Sequence, residues 1–376
     1  MIEESIDACD RIRKLASVQT VSEILPHPNA DRLELATILG WQVVVAKAEL
    51  IQKGDKVVYC EIDSKLPSTA TWLPEAVKRR IEGQKNKKDW FHVKTAMIRG
   101  QLSQGLIVLM KDLEEELEDG HDMTAKLGIE KYDDEETEES TGDRNKIKLA
   151  GGNCWKPFPK ELVPKTDEPR IQSNPWMLQS FKESNSPYYA TVKLDGSSGT
   201  FLIDPKTDEF WVCSRNHVRF HPNYGDDSPK VMCPYWEAAK NANLEAKLRE
   251  HNKNLAIQGE VCGPRIAKNP LGLDRIKLFV FDIYDLKTRR KLPFAELVST
   301  CVKLGLTMVP VECVGDNSNV TEHVSSIGNL LEASKGIYES SGNVREGLVL
   351  RSMDQKISFK VINNDYLLGK KSKKKK

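Results

Sequence analysis

The sequence predicts an α+β protein in two parts: a small N-terminal β-barrel, then a larger domain built on antiparallel sheet. Three observations carry this. Residues 15–66 fall into short β-rich runs with period-two patterning and turn residues between them. Residues 112–150 lose that periodicity and fill with acid. From residue 188 onward, strand-like runs recur among three helix-like segments.

At 376 residues the chain is too long for one ordinary core, so two domains are expected. Apolar residues make up 39% and charged residues 30%, the balance of a globular protein. No apolar run approaches the ~20 residues of a membrane-spanning helix. The start, MIEESIDACDRIRK, holds no signal-peptide-like stretch. An intracellular protein, cytoplasmic or nuclear, with no membrane partner is therefore expected. The 8 cysteines are scattered singly without a CxxC pair, which argues against a zinc site and a disulfide framework. A net charge of +1 hides an uneven distribution. KRRIEGQKNKKDWFHVK (78–94) and the closing KKSKKKK are basic, while Asp112 to Glu139 is acidic. Phosphates respond to local patches, so a near-neutral total does not exclude a polyanionic partner.

In order along the chain, ASVQTVSEIL, HPNADR, LELATILGWQVVVA and KGDKVVYCEID read as strands and turns, HPNADR being a turn between two strands. TAMIRGQLSQGLIVL (95–109) adds two strands around Gly100 and Gly105. That count fits a five-stranded OB-type barrel, a fold that offers a groove to nucleic-acid backbone. Trp90 and Phe91 lie in the basic segment, which reads equally as a solvated loop or as a stretch that contacts phosphates with stacking rings. Residues 1–112 are thus assigned to the barrel, 113–154 to an acidic linker, 155–365 to the larger domain and 366–376 to a basic tail. Within the larger domain, strands are expected at 188–194, 198–203, 209–214, 255–261, 276–284, 346–352 and 356–362. Helices are expected at 234–252, 294–304 and 321–339.

The chemistry centres on Lys193-Leu194-Asp195-Gly196, at the end of the strand YYATVKL. Alone, a KxDG tetrapeptide is a strand end and a turn. Here it has ordered company: Ser214-Arg215-Asn216 after a strand, Glu260 in AIQGEVCG, and Phe281 in LFVFDIYD. Glu346 in EGLVLR and Lys360 in SFKV follow. Six elements in this order resemble the covalent nucleotidyltransferase superfamily of polynucleotide ligases and RNA capping enzymes.

The resemblance implies an antiparallel-sheet nucleotidyltransferase (ligase adenylation) domain in which Lys193 attacks the α-phosphate of ATP and becomes AMP-linked. A lysine must be neutral to attack, against an ordinary pKa of ~10.4. Neighbouring cations such as Lys360, and a metal ion, would depress it. Asp195, Glu260 and Glu346 are oxygen donors suited to Mg²⁺ or Mn²⁺. The resemblance places Gly196 in the nucleotide-binding turn, Glu260 near the ribose, Phe281 on the adenine, and Arg215 and Lys360 against phosphate charge. The family often carries a lysine two positions before the final one. Ser358 stands there instead, with Lys356 two residues further back.

Ligases and capping enzymes usually place a barrel after this domain. Only 16 residues follow Lys360, and the expected barrel lies ahead. That order, with KTDEPRIQ (165–172), resembles ATP-dependent RNA ligases with an N-terminal OB domain. RNA with 3′-OH and 5′-phosphate ends, at nicks in duplex, is the implied partner, and a monomer is expected. VSEILPHPNADRLELATILGWQVVV also looks like OB modules of tRNA-recognising proteins. A barrel residue is implied near the metal on ATP's outer phosphates, with Asp31, Asp55 and Glu61 as equal candidates. The alternatives are a GTP-dependent capping guanylyltransferase and a non-catalytic RNA-binding protein with a degenerate transferase domain.

Overall fold

Period-two patterning in the first hundred residues produces a barrel. In the computed structural model, which describes residues 13–83, 88–109, 117–132, 155–184, 186–219, 232–315 and 325–369, the chain divides into two units. The first holds β1 (Ala16–Thr20), β2 (Glu23–Pro26), β3 (Leu33–Ile38), β4 (Trp41–Ala46) and β5 (Lys56–Cys60). Then come β6 (Ser64–Pro67), α1 (Glu75–Glu82), β7 (Trp90–His92), β8 (Ala96–Ile98), β9 (Gln101–Ser103), β10 (Leu106–Leu109) and β11 (Glu130–Lys131). β5 pairs with β1 and β10, and β3 with β2 and β4, all antiparallel. The Gln104 amide donates to the Gln42 carbonyl at 2.8 Å and Gln42 Nε2 to the Leu102 carbonyl at 2.7 Å, joining β4 to the β9–β10 segment. Since β1 runs on into β2, this is a five-stranded OB barrel with β6, α1 and β7 inserted between its fourth and fifth strands. Alternate residues such as Val18, Ile38, Trp41, Val43 and Val58 fill its interior.

HPNADR is the β2–β3 turn, and it does more than reverse the chain. His27 Nε2 lies 3.1 Å from the Ile98 carbonyl, and Asn29 Nδ2 donates to the Arg99 carbonyl at 2.9 Å, tying the turn to the β8–β9 hairpin. Part of the stretch expected to be linker is also structured. Residues 117–132 pack on the barrel with Met123, Leu127 and Ile129 buried, and β11 pairs with β6. Their apolar residues sit on turns without helix or strand period, so periodicity does not reveal them. The remaining linker residues 113–116 and 133–154, residues 84–87 of the basic segment, and the lysine tail from 370 lie outside the described residues. Ile171–Pro175 groups with the barrel unit, through the Gly40 amide donating to the Gln172 carbonyl at 2.9 Å.

The second unit holds two antiparallel sheets. One runs β12 (Trp155–Pro157), β16 (His217–Arg219), β15 (Phe210–Cys213), β14 (Ser197–Ile203), β17 (Leu255–Cys262), β18 (Lys277–Asp285) and β19 (Arg290–Lys291). The other runs β20 (Val311–Gly315), β13 (Tyr188–Lys193), β21 (Gly347–Ser352) and β22 (Ser358–Ile362). Helices are α2 (Trp176–Glu183), α3 (Pro234–Asn241), α4 (Leu244–His251), α5 (Phe294–Leu304), α6 (Ile327–Ser334) and α7 (Asn364–Leu367). Tyr235, Trp236, Leu244, Leu248, Leu297 and Cys301, from α3, α4 and α5, pack on Phe201, Ile257 and Ile283 of the larger sheet. The helix expected at 234–252 breaks in two because Asn243 turns left-handed, with φ 52°. The helix expected at 321–339 shortens to Ile327–Ser334. Ser326 caps its start by accepting from the Asn329 amide, and Arg345 takes the carbonyls of Ala333 and Ser334 at its end. Among the described residues no helix is long and apolar enough to cross a membrane.

Candidate active site

Strand register decides which side chains meet. β13 pairs with β21 so that Lys193 faces Gly347, Thr191 faces Val349 and Tyr189 faces Arg351. β21 pairs with β22 so that Val349 faces Lys360 and Arg351 faces Ser358. Side chains alternate along a strand, so Thr191, Lys193, Arg351, Ser358 and Lys360 share one face of this sheet. The opposite face carries Tyr188, Ala190, Leu348, Leu350, Phe359 and Val361, all buried. Chemistry and core are separated by the period of two.

Lys193 ends β13, and its Nζ lies 2.7 Å from Glu346 Oε2 with both side chains largely buried. Burial disfavours the ammonium, but Glu346, Glu260 and Asp195 outweigh it and the lysine pKa is raised. In the metal-free chain the neighbours that act most on the amine are these three carboxyl groups, whereas the depression expected from sequence calls for a bound metal ion and cations. Glu260 projects from β17 beside Ser198 and Phe279. Burial, with Glu346 and Asp195 nearby, pushes its carboxyl up to about 8 against the opposing pull of Lys193. Asp195 is pushed up to about 6, chiefly by burial and then by Glu346, while a hydrogen bond from Tyr366 and the charge of Lys193 oppose the rise. Gly196 is required by close approach: a Cβ there would lie 2.5 Å from the Val261 carbonyl and 2.8 Å from Glu260 Cγ.

The sequence reading missed Tyr338. Its buried hydroxyl accepts from the amides of Asp195 at 2.9 Å and Glu346 at 3.1 Å, and donates to the Lys193 carbonyl at 3.0 Å. One phenol thus holds the KxDG turn against the start of β21. The Asn363 amide donates to the Glu346 carbonyl at 2.8 Å, fixing that segment from the other side. Nothing in the KGIYESSGN text marks this tyrosine, because its partners are backbone atoms distant in sequence.

The segment 165–170 lines the same region. Thr166 and Ser198 hydroxyls lie 2.6 Å apart, Lys165 donates to Asn216 Oδ1 at 2.7 Å, and Arg215 pairs with Asp167 at 2.7 Å. The Lys360 amide donates to the Pro169 carbonyl at 2.8 Å. Glu168 accepts from Ser358 Oγ at 2.5 Å and from Arg351 at 3.2 Å. Ser358 therefore supplies no second cation, and its hydroxyl anchors Glu168. Beside it, Lys291 lies 3.0 Å from buried Asp282. Arg351 and Lys291 balance Glu168 and Asp282 there, and burial without partners would be costly for all four. Phe281 packs at the edge of a cluster of Leu194, Cys262, Leu271, Val309 and Tyr338, with the Arg351 guanidinium 6.0 Å from its ring centroid.

The structure thus gathers Lys193, Asp195, Glu260 and Glu346, puts Lys360 on the same sheet face as Lys193, and pairs Arg215 with Asp167. The three barrel candidates differ. Glu61 is buried in an ion pair with Arg13 at 2.7 Å, Asp55 accepts from the Gln52 amide at 2.8 Å, and Asp31 is exposed.

Comparison with known proteins follows the same division. Residues 186–362 match the RNA ligase family, and residues 15–110 match an OB-fold domain. No curated protein matches the chain. Among solved structures, a mutant Naegleria gruberi RNA ligase with AMP and Mn is 29% identical with a TM-score of 0.80, covering 95% of this chain and 99% of that one. A mutant of that ligase with ATP and Mn gives 29% and 0.80 over 95% and 99%. The Naegleria ligase with PPi gives 29% and 0.78 over 96% and 99%. A site built on a strand-end lysine, a ligase match over residues 186–362 and an OB match ahead of it converge on an ATP-dependent RNA ligase with an N-terminal OB domain.

Proposed function

We propose that this ligase uses ATP to load AMP onto Lys193, passes it to a 5′-phosphate end of RNA, and joins that end to a 3′-hydroxyl, at nicks in duplex. The carrying observation is Lys193 Nζ held 2.7 Å from Glu346 at a strand end, with the carboxyl groups of Asp195 and Glu260 beside it. The similar Naegleria ligase is known with ATP, AMP, PPi and Mn. The proposed division assigns residues 13–132 to the barrel module and 155–365 to the transferase, so the barrel runs further than the sequence suggests.

The residues fit a divalent cation bound with nucleotide. Around Lys193 three carboxylates face one amine, whereas the neighbouring Arg351–Lys291 network is balanced. In the free protein the excess is relieved by a proton on Glu260, whose carboxyl is pushed up to about 8, and a cation would displace it. Among the described residues no three such side chains form a ready-made cage. Phosphate oxygens and water would therefore complete the shell, as is usual for Mg²⁺. Asp195, Glu260 and Glu346 would hold the cation, and it would supply positive charge to the phosphate oxygens.

The chain's own residues do the rest. Glu346 fixes Nζ and is the acceptor within hydrogen-bond reach of its proton. Once that proton leaves, the Nζ lone pair attacks the α-phosphorus, the bond to pyrophosphate breaks, and a phosphoramidate remains. Lys360 and Arg215 neutralise phosphate charge as it builds, and Phe281 gives an apolar face to the base. Lys193 then leaves as AMP moves to the RNA 5′-phosphate, and the 3′-hydroxyl displaces AMP.

The test is sealing of a labelled nicked RNA duplex with ATP or with GTP. Product with ATP alone supports the reading; product with GTP alone, or RNA binding without product, contradicts it.

A further inference from the structure

The barrel insertion carries a surface that the proposed chemistry leaves unused. β6 and β7 pair so that Lys65 faces His92 and Pro67 faces Trp90, which puts Lys65, Trp90 and His92 on one face. The alternate residue Leu66 is wholly buried, so the other face is the core side. Tyr132, just after β11, stacks on His92 with centroids 3.6 Å apart, and its ring lies 5.5 Å from Trp90. Lys65 lies 5.7 Å and exposed Lys88 4.3 Å from the Trp90 ring, and Lys65 also lies 6.0 Å from the Tyr132 ring. Asp63, Asp89 and Glu130 are the nearby acids in these strands and their ends, with Glu130 opposite Lys65 in the β11–β6 pair. Trp90 and His92, half-exposed in the connection between the fourth and fifth strands of an OB barrel, occupy a place that oligonucleotides use in such barrels, and Tyr132, which follows the fifth strand, joins them.

We propose that this face binds an unpaired stretch of the RNA substrate, with a base stacked on Trp90 and phosphates held by Lys65 and Lys88. The inference rests on the RNA-ligase reading. Bases in a duplex have no free face and A-form grooves are read through backbone, whereas single strands use aromatic platforms lined with cations. Lys88 is exposed on a flexible stem and moves from ring to phosphate as a base arrives.

Anisotropy titrations of the full chain with a fluorescent single-stranded RNA and a blunt RNA duplex test this. Trp90→Ala should weaken single-strand binding about 5- to 100-fold, the span of one lost stacked base. Binding of the duplex should change less than about twofold. Trp90→Phe should restore most of the affinity, and Lys88→Glu should lower it while making it less salt-dependent. Self-adenylylation with ATP requires no RNA, so its loss in the unmodified chain would strike the ligase reading rather than this surface. Unchanged single-strand affinity in Trp90→Ala, with or without a lower Tm, would show that the rings only pack against one another. Equal losses on both probes would overturn the preference for unpaired RNA.

Discussion

Tyr338 joins three backbone segments through one hydroxyl, which makes a single oxygen atom decisive for where Lys193 and Glu346 sit. Tyr338→Phe keeps the ring and leaves two part-buried amides without this acceptor, a cost of about 1–3 kcal/mol. Adenylylation should fall at least about tenfold in kcat, with a smaller change in KM for ATP, as expected when orientation is lost. An unchanged kcat would show the clamp to be irrelevant to the reaction. Glu260 gives a pH prediction. Its carboxyl keeps its proton to about pH 8 in the folded chain, while the unfolded chain releases it near 4.5. Between those values the unfolded state binds fewer protons, so this group makes stability fall as pH rises. Thermal melts of the metal-free protein should show Glu260→Gln gaining Tm over the parent from pH 5 to pH 8. Mn²⁺ with ATP should narrow that difference in the parent's favour. A constant difference across pH would sink the assignment. The lysine, the three carboxylates and the strand end were legible in sequence because each sits in a short local motif. Tyr338 and the anchoring of Glu168 by Ser358 were not, since their partners are backbone or lie far away in the chain.

Strand pairing is what turns those motifs into a site. Gly347 follows Glu346 at φ 152°, and a Cβ there would lie 2.1 Å from the Val361 carbonyl of the next strand. Gly347→Ala therefore forces β21 away from β22 and moves Glu346 from Lys193, with strain of about 1–3 kcal/mol. A lower Tm together with an adenylylation rate reduced about tenfold or more is expected; normal labelling by the variant would contradict the register argument. Strand positions were legible because alternation survives in Tyr188–Lys193 and Gly347–Ser352. Helix ends were less so. Asn243 breaks one expected helix through a left-handed backbone, and Arg345 ends another with side-chain bonds that no local pattern announces.

At the scale of the molecule, two units divide the work: chemistry on one, and on the barrel the proposed grip on RNA. Sealing engages a polyanion, whereas Lys193 loading engages only nucleotide. Raising salt from 50 to 200 mM should raise KM for RNA far more steeply than KM for ATP. Parallel salt dependence of the two would argue against RNA contacts outside the loading site. The order of a barrel before a larger α+β domain was legible from strand count, and the larger domain's reading as a transferase came from the resemblance of its motifs. The packing of residues 117–132 on the barrel was not legible, because turn-borne apolar residues carry no period. The central claim is that Lys193 is the AMP acceptor. Its most direct test is the intact mass of the purified protein after incubation with ATP and Mg²⁺ or Mn²⁺. The account predicts a gain of one AMP, sensitive to acid, absent from Lys193→Ala, and discharged by a nicked RNA duplex. No adduct in the parent protein, or the same adduct in Lys193→Ala, would contradict it.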